Sequence, residues 1–63
     1  MRPIEIAVRV GSKVHSGVYI VEGEMVSVAY RGKSKAALVG ESQPETIAST
    51  LLKELVRQSR RQG

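Results

Sequence analysis

The sequence predicts an α+β fold: a four-stranded antiparallel β-meander followed by one C-terminal amphipathic helix packed on one sheet face, in the order β-β-β-β-α. Three observations predict it. Apolar side chains alternate with others near the start of the chain, glycine-containing turn sequences recur through the middle, and apolar residues repeat with helical spacing after Pro44. The 63 residues suit a single domain that spans 1–63.

The first strand is predicted over residues 3–10, where apolar residues occupy every second position: Ile4, Ile6, Val8 and Val10. Gly11 and Ser12 follow, and glycine supplies the positive φ that a type II′ turn needs at its first central residue. A two-residue loop there pairs Val10 with Lys13 in the second strand.

The second strand is predicted over residues 14–21 and ends at Glu22-Gly23. A two-residue loop at those positions pairs Val21 with Glu24. A three-residue loop at Gly23 would turn one strand over relative to the other, because successive side chains point to opposite faces.

The third and fourth strands are predicted over residues 25–30 and 34–39, joined by the turn Arg31-Gly32. A two-residue loop there pairs Tyr30 with Lys33. Gly40 then closes the sheet region.

A helix is predicted over residues 43–59 because two apolar series repeat every fourth position and form one stripe: Ile47, Ala48, Leu51, Leu52, Leu55 and Val56. Ser42 and Glu45 have the spacing of a capping box, and Pro44 falls in the first turn, where its missing N–H is harmless. Residues 60–63 are expected to form a frayed tail.

The three turns together assign each strand residue to a face of the sheet. The face toward the helix is predicted to carry Ile4, Ile6, Val8, Val10, Tyr19, Val21, Val26, Val28, Tyr30, Ala37 and Val39. The opposite face carries Glu5, Ala7, Arg9, Val14, Ser16, Val18, Ile20, Met25, Ser27, Ala29, Ser34, Ala36 and Leu38. A solvated face usually holds more charged residues than this second set does.

The run Val18-Tyr19-Ile20-Val21 is apolar on both faces of its strand, yet one helix covers only one face. The sequence therefore predicts a small non-enzymatic domain that self-associates, with a two-fold homodimer as the default symmetry. The candidate self-association residues are Val18, Ile20, Met25, Ala29 and Leu38. An edge-to-edge dimer is a second geometry, and strand propensity alone is the alternative explanation for the exposed Val and Ile.

A second hypothesis is a small basic nucleic-acid-binding protein, because the chain has ten Lys and Arg but only six Glu, which gives a net charge of +4. The candidate phosphate contacts are Arg31, Lys33, Lys35, Arg57, Arg60 and Arg61. Simpler roles also explain these cations. Lysine on an edge strand prevents aggregation, and cations near a helix C-terminus complement its dipole.

The segment from Gly23 to Tyr30, the basic turn after it and the helix from Pro44 to Leu55 resemble the second half of the small archaeal chromatin proteins of the Sul7d type. That resemblance implies a helix packed on a DNA-binding sheet. The chain departs from the family in having no Trp, far fewer Lys and a shorter first half.

Other chemistry has little support in the sequence. The chain has no Cys and no Asp, so we expect no disulfide, metal or cofactor and no enzymatic activity. His15 is interpreted as a surface or sheet-edge residue, and Gly32-Lys33-Ser34 lacks the preceding glycine and following helix of a phosphate-binding loop. Tyr19 and Tyr30 are expected in the core rather than as a base-stacking platform. No signal peptide or membrane span is recognised, and a cytoplasmic location is expected.

Overall fold

The computed structural model describes residues 2–62, with side chains as far as Ser59. Its elements are β1 (Ile4–Val10), β2 (Lys13–Glu22), β3 (Met25–Tyr30), β4 (Lys33–Leu38) and α1 (Pro44–Gln62). The four strands form one antiparallel sheet in the order β1-β2-β3-β4, and α1 packs on one face, chiefly against β3 and β1. This arrangement confirms the predicted fold class.

The helix continues beyond its predicted end near residue 59 and reaches Gln62, so most of the expected tail is helical. Residues 57–62 contain only Arg, Gln and Ser, and Arg and Gln are good helix formers. Cations in the last turns also interact favourably with the helix dipole. The final residue of that predicted tail lies outside the described residues.

Two of the three hairpin registers agree with the sequence prediction. Val10 lies opposite Lys13 across a turn in which Gly11 has φ of +65°. Tyr30 lies opposite Lys33, and both residues of the connecting turn have positive φ, 50° for Arg31 and 78° for Gly32. Two successive positive φ values are the mark of a type I′ turn, whose twist matches that of the strands it joins.

The predicted register of the middle hairpin is wrong by two residues. Val21 pairs with Val26 rather than with Glu24, because the two-residue loop is Gly23-Glu24 and not Glu22-Gly23. The observed loop places Gly23, with φ of +58°, at the first central position, where a type II′ turn requires a positive φ. A shift of two residues leaves every side chain on its predicted face.

The start of α1 also differs from the predicted capping box. The Ile47 N–H donates to the Gln43 carbonyl at 3.2 Å, which makes Gln43 the N-cap and Pro44 the first helical residue. Ser42 precedes the cap, and its backbone N–H donates to the Val39 carbonyl at 3.1 Å in the preceding turn.

The core lies between the helix stripe and the helix-facing side of the sheet. Its largest fully buried side chains are Leu52, Leu55, Val26, Val28 and Val56. Burial of one such side chain contributes roughly 1.5–3 kcal/mol. Tyr19 and Tyr30 are 8% and 7% exposed, so the prediction that both belong to the core is confirmed.

Gly17 lets the helix approach the sheet closely. A Cβ at this position would lie 2.9 Å from the Ala29 carbonyl oxygen and 3.0 Å from Leu52 Cδ1. The first neighbour is backbone of the adjacent strand, which cannot rotate away. The missing side chain therefore makes room for both β3 and α1.

We expect Gly17→Ala to lower the free energy of unfolding by about 1–3 kcal/mol, because the new methyl group forces the strand or the helix to move. Urea denaturation at a fixed protein concentration measures this loss. Ser16→Ala is the control, since Ser16 is the neighbouring exposed residue and a surface change of this kind costs less than about 0.5 kcal/mol. Equal stability of the two variants would show that Gly17 is not a packing requirement.

Candidate interaction surfaces

The sheet face that points away from α1, called the open face here, contains all five predicted self-association residues. Val18 pairs with Ala29, Met25 pairs with Leu38, and Ile20 lies opposite Ser27. They therefore form adjoining rows on three neighbouring strands. Val18 and Ile20 are half-buried by their neighbours in the sheet itself, whereas Ala29 is exposed.

Large apolar side chains are exposed on the open face. Leu38 is 67% exposed, Val14 is 60% exposed and Met25 is 42% exposed. Val14 extends the apolar surface beyond the predicted patch, along the part of β2 that projects past β3. Between these side chains lie small residues, Ala29 and Ser34 among them, so this part of the open face is recessed relative to Met25 and Leu38.

Charged residues on the open face lie at its margins. Glu22 begins the row of Met25 and Leu38 at one end of the sheet, and Arg9 pairs with Val14 at the other end. Glu5 lies on the edge strand β1. The centre of the face thus carries no formal charge, in contrast to a sheet surface built for water.

Charge is segregated between the two ends of the sheet. Successive turns of a meander alternate between ends, so the 23–24 turn and the start of α1 share one end, and the 11–12 and 31–32 turns share the other. The first end, called the acidic end, carries Glu22, Glu24, Glu41 and Glu45. The second, called the basic end, carries Arg9, Lys13, Arg31, Lys33 and Arg57. The sequence prediction missed this, although strand order and charge positions were sufficient to find it.

The predicted phosphate contacts fall into different settings. Arg31 is exposed, and its guanidinium carbon lies 5.7 Å from the centre of the Tyr30 ring. Lys35 lies farther in and forms an ion pair with Glu54, with a separation of 2.9 Å between Nζ and Oε1. Arg57 is exposed and Lys33 is half-buried. The side chains of Arg60 and Arg61 lie outside the described residues, although their backbone is helical.

A cleft of about 700 Å³ lies at the basic end, beside the part of β2 that has no β3 partner. It is lined by both turns of that end and by the C-terminal half of α1: Val10, Gly11, Ser12, Lys13, Val14, His15, Tyr30, Arg31, Val56 and Ser59. Lys13 and Arg31 supply the formal positive charge of this lining. No carboxylate occurs among these described lining residues.

His15 is half-buried in this cleft, on the part of β2 that has no β3 partner. Its Nδ1 lies 3.0 Å from the Tyr30 hydroxyl, and the two rings meet edge to face with centroids 6.0 Å apart. Nε2 is buried without a hydrogen-bond partner among the described residues. The hydrogen bond between them depends on side-chain geometry that a strand register does not give.

The described residues form neither a metal-binding group nor a membrane-spanning helix. Residues 2–59 contain no group of three or more His, Asp or Glu side chains close enough to hold a metal ion together. No described helix has the length and hydropathy needed to cross a membrane. Gly32-Lys33-Ser34 forms part of a hairpin turn and the start of β4, and no helix follows it.

Comparison with known proteins gave no match: no protein-family profile, no curated protein and no solved structure matches this chain. The likeness to archaeal chromatin proteins therefore rests on the residue spacing of the second half of the chain alone.

We expect Tyr30→Phe to lower the free energy of unfolding by about 1 kcal/mol, because the hydrogen bond to His15 is lost while the ring remains. Thermal denaturation measures the difference. Tyr19→Phe is the matched control, since Tyr19 is equally buried but its hydroxyl has no hydrogen-bond partner among the described residues. If both variants lose the same stability, the His15–Tyr30 hydrogen bond contributes nothing.

Proposed function

We propose that this chain is a non-enzymatic protein-interaction domain that forms a homodimer by packing the open faces of two copies together. The observation that carries the proposal is the open face itself. It exposes Met25 and Leu38 beside the half-buried Ile20 and Val18, exposes Val14 farther along β2, and has charge only at its margins. Contiguous exposed apolar surface of this kind marks interaction sites in soluble domains.

The solvent-accessible area of the chain is larger than that of a typical monomer of its mass, which supports a missing partner. The chain exposes 4632 Å², whereas a compact monomer of 6.9 kDa exposes about 4,000 Å². The excess of roughly 600 Å² is somewhat below the 800 Å² that each partner buries in a standard interface. Interfaces at the low end of the size range are typical of transient contacts, so we propose a dissociation constant in the micromolar range rather than a permanent complex.

The partner is a second copy because the open face is complementary to itself. In an antiparallel two-fold arrangement, the axis lies in the plane of the interface and perpendicular to the strands. The large side chains of Met25 and Leu38 then pack on the row of Ala29 and Ser34 of the other copy, near an axis at Ile20. Aligned sheets pack in this way with large residues facing small ones.

Charge selects this geometry over the parallel one. The antiparallel arrangement directs the projecting β1–β2 hairpin of one copy, with Arg9, toward the acidic end of the other copy, where the turn carries Glu24. A two-fold axis parallel to the strands would instead bring basic end to basic end. Opposite charges across an interface favour association and fix its register. A cysteine-free domain of this kind suits the reducing cytoplasm, where we place it.

We expect the wild-type chain at tens of micromolar to show about twice its monomer mass of 6.9 kDa by size-exclusion chromatography with light scattering. Ile20→Lys should give the monomer mass, because it places a charge at the centre of the apolar face. Gln58→Lys is the control, as it adds the same charge at an exposed helix position.

Leu38→Ser keeps the dimer test independent of folding, because Leu38 is 67% exposed and contributes little to the monomer core. It should raise the dissociation constant about tenfold or more, while its circular dichroism spectrum stays that of the wild type. A wild-type chain that remains monomeric at hundreds of micromolar would contradict the proposal.

A charge exchange tests the antiparallel geometry. We expect Arg9→Glu to weaken the dimer about tenfold at low salt, because two attractive contacts in the symmetric dimer become repulsive. The double variant Arg9→Glu and Glu24→Arg should recover part of the affinity. Sedimentation equilibrium measures both constants. If Arg9→Glu strengthens the dimer, like ends meet in the interface and the antiparallel arrangement is wrong.

A further inference from the structure

The basic end is the strongest feature that self-association through the open face leaves unexplained. Five described cations lie there: Arg9, Lys13, Arg31, Lys33 and Arg57. We propose that the basic end binds the phosphodiester backbone of nucleic acid, with the cleft beside His15 and Tyr30 as the central phosphate site. This activity adds to the proposed dimerisation, and its central site, the cleft, uses other residues, although Arg9 belongs both to the basic end and to the proposed dimer.

No carboxylate occurs among the described residues that line the cleft with Lys13 and Arg31. Four of the six Glu lie at the acidic end, and Glu5 lies on the open face. The remaining carboxylate, Glu54, is paired with Lys35 at 2.9 Å. The positive charge is therefore concentrated at one end of the molecule, and the net charge of +4 of the whole chain understates it because the acidic end offsets part of it. Such a local field attracts polyanions and accelerates their encounter with the protein.

The cleft places two of these cations around a concave site that can accept a phosphate group. Lys13 enters it from the β1–β2 hairpin and Arg31 from the β3–β4 turn, so cations flank the opening on two sides. Ser12 and Ser59 belong to the same lining. Arg31 is held over the Tyr30 ring, and its guanidinium group keeps several N–H donors for phosphate oxygens.

The structure favours recognition of the backbone over recognition of bases. Tyr19 and Tyr30 are 8% and 7% exposed, so neither ring offers a face on which a base could stack. The cleft is also short, and it lies at the end of the sheet rather than along a helix that could enter a groove. Contacts to phosphate without contacts to base edges position a protein on nucleic acid but do not read the sequence.

An anionic membrane is the competing polyanion, and the composition of the basic end argues against it. Stable membrane binding needs apolar side chains that enter the lipid in addition to basic residues. Among the described residues of this end, the exposed large apolar side chain is Val14 alone, which is a small anchor for a lipid surface. Charge without an apolar anchor favours nucleic acid.

The test measures binding of fluorescein-labelled oligonucleotides of mixed sequence, single-stranded and duplex, by fluorescence anisotropy. Four phosphate contacts predict a loss of affinity of about 100-fold between roughly 50 and 200 mM salt, with little dependence on base sequence. Tighter binding of either form identifies the preferred nucleic acid, and binding of either form supports the proposal. Absence of binding to both at the lower salt concentration would overturn it.

Matched variants distinguish a site from general charge. Lys13→Gln with Arg31→Asn removes both cations that flank the cleft, and Asn tolerates the positive φ of 50° at position 31. This double variant should bind about tenfold more weakly, with a lower salt dependence. Arg2→Gln with Lys53→Gln removes the same charge from exposed positions outside the cleft and should change affinity less than about threefold. Equal losses in both double variants would refute a localised site.

Two further measurements complete the test. Vesicles containing anionic phosphatidylserine should bind more weakly than the oligonucleotides, and tighter binding to vesicles would overturn the assignment to nucleic acid. The solution mass of the cleft double variant should remain that of the wild type, because neither substitution touches the open face. Failure of nucleic-acid binding is thus separable from failure of dimerisation.

Discussion

Leu52 of the helix packs against the bare backbone of Gly17, and this contact sets the distance between the two layers of the domain. The same glycine admits the Ala29 carbonyl of the neighbouring strand. Around this point the helix stripe meets Val26 and Val28, which are fully buried. A single helix supplies all of the cover that the sheet receives within the described chain, and it covers one face only.

That one-sided packing explains the unusual character of the other face. A strand with apolar residues on both sides, such as the segment from Val18 to Val21, is stable when both sides are shielded from water. Apolar side chains lie on both faces of the sheet, and the charged residues of the open face lie at its margins. Segregation of Glu and Lys or Arg to opposite ends gives two copies a preferred relative orientation and leaves a basic end for other anions.

Much of this fold could be predicted from the sequence because turn chemistry and strand alternation act locally. The position of glycine within the loop decided the middle register, and the prediction placed Gly23 second instead of first. Both faces were still correct, since the error was an even number of residues. The ion pair between Lys35 and Glu54 and the hydrogen bond between His15 and Tyr30 could not be predicted, because they depend on how the helix and the side chains are placed in three dimensions. The segregation of charge needed only the strand order.

Whether a second copy covers the open face can be measured through the solvent accessibility of methyl groups in solution. In a methyl NMR spectrum recorded with a soluble paramagnetic probe, we expect Ile20 and Leu38 to relax nearly as slowly as Leu52, which is fully buried. On dilution below the dissociation constant, Leu38 should become accessible while Leu52 stays protected. Leu38 is 67% exposed in the single chain. If its methyl groups relax fast at every concentration, the open face is not covered by a second copy.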